Sequence, residues 1–168
     1  DSDPGHADLI AARGGALCRS GSDGQTLLAL LDAIQPRGVT GIILDRASIW
    51  PALGALAQRE PLAALQVLEH DALHRVGAVC SIDGRGIAGR PACHYRIQDA
   101  TGVQEGEVCW GTLARFPLGQ GPAILRMEPV GAGRSRHEST LPPLRVALPK
   151  EAPALIIDAR GRPVRLAD

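Results

Sequence analysis

Apolar residues recur at helical spacing in residues 27–34, where Leu27, Leu28, Leu30, Leu31 and Ile34 make one apolar face. Pro36-Arg37-Gly38 should end that helix, because Pro cannot donate a backbone hydrogen bond and Gly tolerates positive φ. Residues 39–44 are a short, mostly β-branched run, with only Thr40 and Gly41 breaking its apolar character. That is the pattern of a strand covered on both faces. Asp45 closes the run, and Ser48 is placed to cap a helix through residues 51–57. Upstream, residues 7–12 can form a short strand, followed by Arg13 and the pair Gly14-Gly15. Ser22 or Asp23 can then cap the first helix, which should run to about Gln35. Pro61 suits the first turn of a further helix, carried by Leu62, Leu65, Val67 and Leu68 and fading near Asp71. Parallel pairing of the strands at 8–12 and 39–45 would fit a strand–helix–strand crossover.

Near residue 73 the pattern changes to short runs of alternating character split by turn residues. Strands are expected near 75–82, 92–98, 104–110, 112–117, 122–128, 144–148, 154–158 and 163–166. Asp99-Ala100-Thr101-Gly102 reads as a hairpin turn. Asp158-Ala159-Arg160-Gly161-Arg162-Pro163 should form a tight hairpin with its arginines exposed. Residues 131–140 are polar and read as a long loop. Turns every ten or so residues argue a small antiparallel barrel or sandwich. The expected class is therefore α+β: an α/β segment over 1–72, then an all-β domain over 73–168.

Composition narrows the function classes. The chain has 168 residues, with 18 basic and 18 acidic side chains and no formal net charge. It lacks the long-range electrostatic footprint of a nucleic-acid or anionic-membrane binder. Two Trp, one Tyr and one Phe leave few stacking platforms for bases or sugars. No run reaches the roughly 20 apolar residues that span a bilayer. The sequence starts at Asp1 without a signal peptide, which reads as an excised piece of a longer, cytoplasmic protein. Cys18, Cys80, Cys93 and Cys109 show no C-x-x-C pair, as expected of reduced thiols.

Candidate chemistry is sparse. Gly14-Gly15 after a short strand would let a ligand approach the backbone closely, or be simply a turn. No P-loop and no G-x-G-x-x-G follows a strand. Cys80, Cys93, His94, Cys109 and His137 could supply zinc ligands, but adjacent strand residues such as Cys93 and His94 point to opposite faces, and no metal site is expected. Cys18 beside Arg19 has a cation that would favour thiolate, with no base assignable. His70 and His74, flanked by Glu69 and Asp71, are one helical turn apart, a spacing that could suit a metal, but the cluster reads first as a solvated helix end. Asp45-Arg46, Asp158, Arg160 and Arg162 read as turn and ion-pair residues.

Several segments together carry a resemblance. They are Asp8-Leu9-Ile10 with Gly14-Gly15 and Leu17; LLALLDAIQPRGVTGIILDR over 27–46; Pro51-Ala-Leu-Gly-Ala-Leu-Ala over 51–57; and Leu155-Ile-Ile-Asp-Ala-Arg-Gly-Arg-Pro over 155–163. The chain resembles the C-terminal part of the glutamate mutase accessory protein family (MutL/GlmL, unrelated to mismatch repair). Members look like actin/Hsp70-type ATPases, built from two ribonuclease-H-like halves, that assist or reactivate a cobalamin-dependent mutase. The resemblance implies that Gly14 and Gly15 contact adenosine. The family has a further glycine and a small hydroxyl residue before that pair, where this chain has Ala12 and Arg13. Phosphate- and Mg²⁺-binding segments would lie upstream. The chain alone would then be no enzyme and hold no cofactor, with ATP and Mg²⁺ belonging to the full-length protein. The 73–168 part would contact a protein partner, the mutase being one candidate. The other reading is a non-catalytic structural or protein-interaction module.

Overall fold

A computed structural model describes residues 7–19, 21–130, 144–148, 152–162 and 164. Its order is β1 (Leu9–Ala12), α1 (Gly15–Cys18), α2 (Asp23–Ile34), β2 (Gly38–Leu44), α3 (Trp50–Ala57), α4 (Pro61–Val67), a π-helical turn (Leu68–Ala72) and seven further strands. These are β3 (His74–Ser81), β4 (Pro91–Asp99), β5 (Gly102–Cys109), β6 (Leu113–Pro117), β7 (Ile124–Pro129), β8 (Leu144–Ala147) and β9 (Ala154–Asp158). The protein is mixed α+β and mostly sheet.

The strands form two sheets, in the orders β1-β2-β3-β9-β6 and β5-β4-β7-β8. Among the described residues neither closes, so the barrel is not formed. The reason lies in β3: it pairs antiparallel with β2, and β9 pairs parallel with β3. Both strands thus extend the sheet begun by β1 and β2, and that sheet runs across the expected boundary at 72/73. The β1–β2 pairing is parallel, as the crossover pattern requires. The hairpin at Asp99–Gly102 joins β4 to β5, with Asp99 opposite Gly102. Asp99 Oδ1 accepts from the Thr101 and Gly102 N–H groups, and Oδ2 from the Gly119 N–H. The Gly119 N–H and the Thr101 bonds outweigh the small opposing effect of burial and bring its pKa down to about 2.

Helix α2 covers one face of the first sheet. Ser22 caps it, accepting from the Gln25 N–H at 3.3 Å. Gln35 ends it in the left-handed conformation, with φ 50°. Only Leu27, Leu30 and Leu31 of the expected apolar face are buried; Leu28 and Ile34 are exposed. The three buried leucines pack with Ile42, Leu44, Val79 and Ile156. The other face of the sheet offers Ala78, Cys80, Leu155 and Ile157 to Cys93, Ile97, Leu125 and Met127 of the second sheet. β2 is therefore covered as its sequence suggested, and Thr40 satisfies its buried hydroxyl by donating to Ala7 O at 2.7 Å. At Gly77 a Cβ would lie 2.8 Å from Ala154 O, so glycine is what lets β3 approach β9 there.

Ser48 is not the cap of α3. The Asp45 carboxylate takes that part, accepting from the Ile49 and Trp50 N–H groups at 2.9 and 3.0 Å. The expected 158–163 hairpin is also corrected. Arg160 and Arg162 turn inward onto Asp158, because a carboxylate with no exposure at the end of a buried strand needs charged donors. Of the strand expected near 163–166 only Val164 is described, its N–H donating to Gln35 Oε1. The loop at 131–140, with His137, lies outside the described residues.

Candidate functional site

The parallel pairing of β1 and β2 aligns the loops that leave their carboxyl ends. Ala12 lies opposite Leu44, and the Asp45 N–H donates to Ala12 O at 3.0 Å. Ligands of open α/β sheets sit outside such strand ends. Gly14 and Gly15 leave β1 there, and Arg46 leaves β2. His74 opens β3 directly opposite Leu44. Asp23, at the start of α2, accepts a hydrogen bond from the Arg46 guanidinium, and its two oxygens lie 3.0 and 3.1 Å from His74 Nε2. Burial pulls the Asp23 carboxyl up, but the His74 hydrogen bond and charge, with the Arg46 guanidinium, outweigh it and hold its pKa below the usual carboxylate value.

Gly14 has φ 130° and ψ 148°, a conformation essentially reserved for glycine. That explains the glycine before α1 without invoking a ligand. Gly15 is exposed, and a Cβ there would meet Arg19 Nη2 at 2.6 Å. Arg19 Nε donates to Gly15 O at 3.1 Å, so the guanidinium lies against the turn. Arg13 is exposed. Thr26 Oγ1 donates to Leu17 O at 3.1 Å and ties α1 to α2.

The other candidates separate. Among the described residues no three His, Cys, Asp or Glu side chains gather to hold a metal. His94 faces outward beside Glu107 at 3.3 Å, while Cys93 is buried, as strand alternation requires. Burial pushes the Cys80 and Cys93 thiols up to about 12 and about 11, so neither is a ready nucleophile. The one-turn spacing of His70 and His74 fails because the helix ends in a π turn and His74 enters β3. His70 Nδ1 instead lies 2.9 Å from Gln66 O.

Two ionic clusters form; sequence reasoning missed the first, and of the second it read Asp158, Arg160 and Arg162 as ion-pair residues but not their burial or their distant partners. One is Asp23–Arg46–His74. The other centres on Asp158, which accepts from Arg160 and Arg162, while Arg160 also binds Asp32 at 2.7 Å and Arg162 binds Ser81 Oγ at 3.0 Å. In each cluster arginine faces carboxylate, and a partner 51 or 128 residues away in sequence joins it. A readable signal existed only for the second: a lone carboxylate closing an apolar strand, with arginines two and four residues on. No helix among the described residues is long and apolar enough to cross a membrane.

The fold and the site thus define a mixed α+β chain with a glycine turn and an ion-paired cluster at the carboxyl ends of two parallel strands. Compared with known proteins, the chain matches no family model, no curated protein and no solved structure.

Proposed function

We propose that this chain is the C-terminal part of an actin/Hsp70-type accessory ATPase that assists or reactivates a cobalamin-dependent mutase. In this reading Gly14 and Gly15 contact adenosine, and the β-rich part meets the protein partner in the cytoplasm. The observation that supports it best is the position of the glycine pair at the carboxyl end of β1, beside the parallel end of β2. A backbone without side chains there leaves N–H groups approachable by a ribose or a purine edge. Triphosphate chemistry is assigned to the rest of the protein, with ATP and Mg²⁺ bound only when it is present.

The second reading, a non-catalytic interaction module, is favoured by Arg19. Its guanidinium covers Gly15, the face a nucleotide would use. Calorimetric titration of ADP and ATP into the full-length protein separates the two. Binding that is lost in Gly15→Val and kept or tightened in Arg19→Ala supports the ATPase reading. Absence of binding by folded wild type and by Arg19→Ala alike leaves the module.

A further inference from the structure

Between the two sheets lies a cavity of about 100 Å³, lined by Gly38, Ser81, Ile82, Pro129 and Leu144 together with three sulfur residues. These are Cys80 of β3, Cys93 of β4 and Met127 of β7, each at most 4% exposed. Cys80 Sγ lies 3.9 Å from Met127 Sδ. Two donors each about 2.3 Å from one metal ion are about 4 Å apart in a trigonal set. The two sulfurs are thus already spaced as ligands of a common centre. Apart from Ser81 the remaining wall residues are apolar, and His94, the nitrogen donor next in sequence, faces the opposite way.

We infer that Cys80, Cys93 and Met127 form a three-sulfur binding site for Cu(I). A thioether selects a soft ion, and three donors with only two thiolates among them fall short of the four-ligand thiolate or imidazole set of a structural zinc. Binding would exchange two thiol protons for one Cu⁺, with no change of oxidation state, and release the protons to solvent. The resulting bis-thiolate carries one negative charge. Arg162 stands behind the cavity wall, donating from Nη2 to the Oγ of wall residue Ser81 at 3.0 Å, and its buried Nε has no hydrogen-bond partner among the described residues. That guanidinium is at the same time paired with the Asp158 carboxylate. The inference is independent of the nucleotide reading.

The test is an anaerobic titration of Cu(I) against a chromophoric copper chelator. It uses the whole chain carrying Cys18→Ser and Cys109→Ser, so that only Cys80 and Cys93 remain as thiols. One Cu(I) per chain and a raised melting temperature are expected. Cys80→Ala should abolish competitive binding, and the volume-conserving Met127→Leu should weaken it by roughly tenfold or more while the apo protein melts nearly as before. Cu(I) that leaves the melting temperature unchanged, or that binds Met127→Leu as tightly as the parent, would overturn the site. The Met127→Leu comparison decides the matter even if Cys80→Ala does not fold.

Discussion

β9 and α3 are close in apolar content and opposite in fate. All five residues of β9 are buried, whereas no residue of α3 is. β9 sits between β3 and β6, with α2 over one face and the second sheet over the other. α3 packs against α4 and the π turn, and Trp50 Nε1 donates to Ala72 O at 2.9 Å. In α4, Leu62 is 76% exposed. An apolar run states how much cover a segment wants, but only neighbours placed by the topology supply it. The sandwich is thus the mechanically coherent part of the molecule, and the helical hairpin is an apolar flank.

Substitutions put that contrast to the test. The largest effect should come at the end of β9. Asp158→Ala strands the buried Arg162 without a carboxylate and leaves Arg160 with Asp32 alone, and should cost about 3–5 kcal/mol by denaturant unfolding. The same group sets an acid limit. Burial raises the Asp158 carboxyl, but the Arg160 and Arg162 hydrogen bonds prevail and hold it below its ordinary value. Its stabilisation is therefore complete above the unfolded carboxylate pKa of about 3.9 and is lost as pH falls through the lower folded value. Wild type should lose stability below about pH 4, and Asp158→Ala should lose less over that range. An acid limb that is equally steep in both would remove Asp158 from the account.

Leu44 comes next. It is fully buried at the end of β2, and Leu44→Ala should cost about 2–5 kcal/mol. An unchanged melting temperature would refute a doubly covered β2. Asp45→Ala tests the join between the two regions. Losing the cap on α3 should cost about 0.5–2 kcal/mol, with the loss of helical signal confined to that hairpin. The smallest change is expected for Leu62→Ser, within about 0.5 kcal/mol. A loss several times larger would mean that the hairpin is covered in solution, and the contrast with β9 would disappear.

Much of the fold was legible because its signals are local. Ser22 before Asp23, the run at 39–44, Pro61 at the start of α4 and the Asp99–Gly102 turn each act over a few residues, and each forms as expected. The errors share one cause, since each turned on which way a side chain points. Ser48 has the residue type of a cap, but Asp45, three residues before it, directs its carboxylate onto the Ile49 and Trp50 N–H groups. Arg160 and Arg162 looked like hairpin surface until Asp158, Asp32 and Ser81 came together around them. At the candidate site, Gly14 and Gly15 were visible as a pair. The Asp23–His74 contact and Arg19 lying against Gly15 were not, because spacing along the chain says nothing about side-chain direction across a turn.

The elements are written in the residues themselves: a parallel strand–helix–strand start, a run of apolar helix and a series of short strands with their turns. Periodicity and turn chemistry act on neighbouring residues, so they survive without a partner. Which strands share a sheet, that β3 and β9 continue the sheet opened by β1 and β2, and that Cys80, Cys93 and Met127 line one cavity between the layers are settled only by the packed chain. Those outcomes depend on strand order and register. A strand's hydrogen-bonding edges are the same backbone groups whatever its sequence, so its neighbours are chosen by the packing of the whole chain.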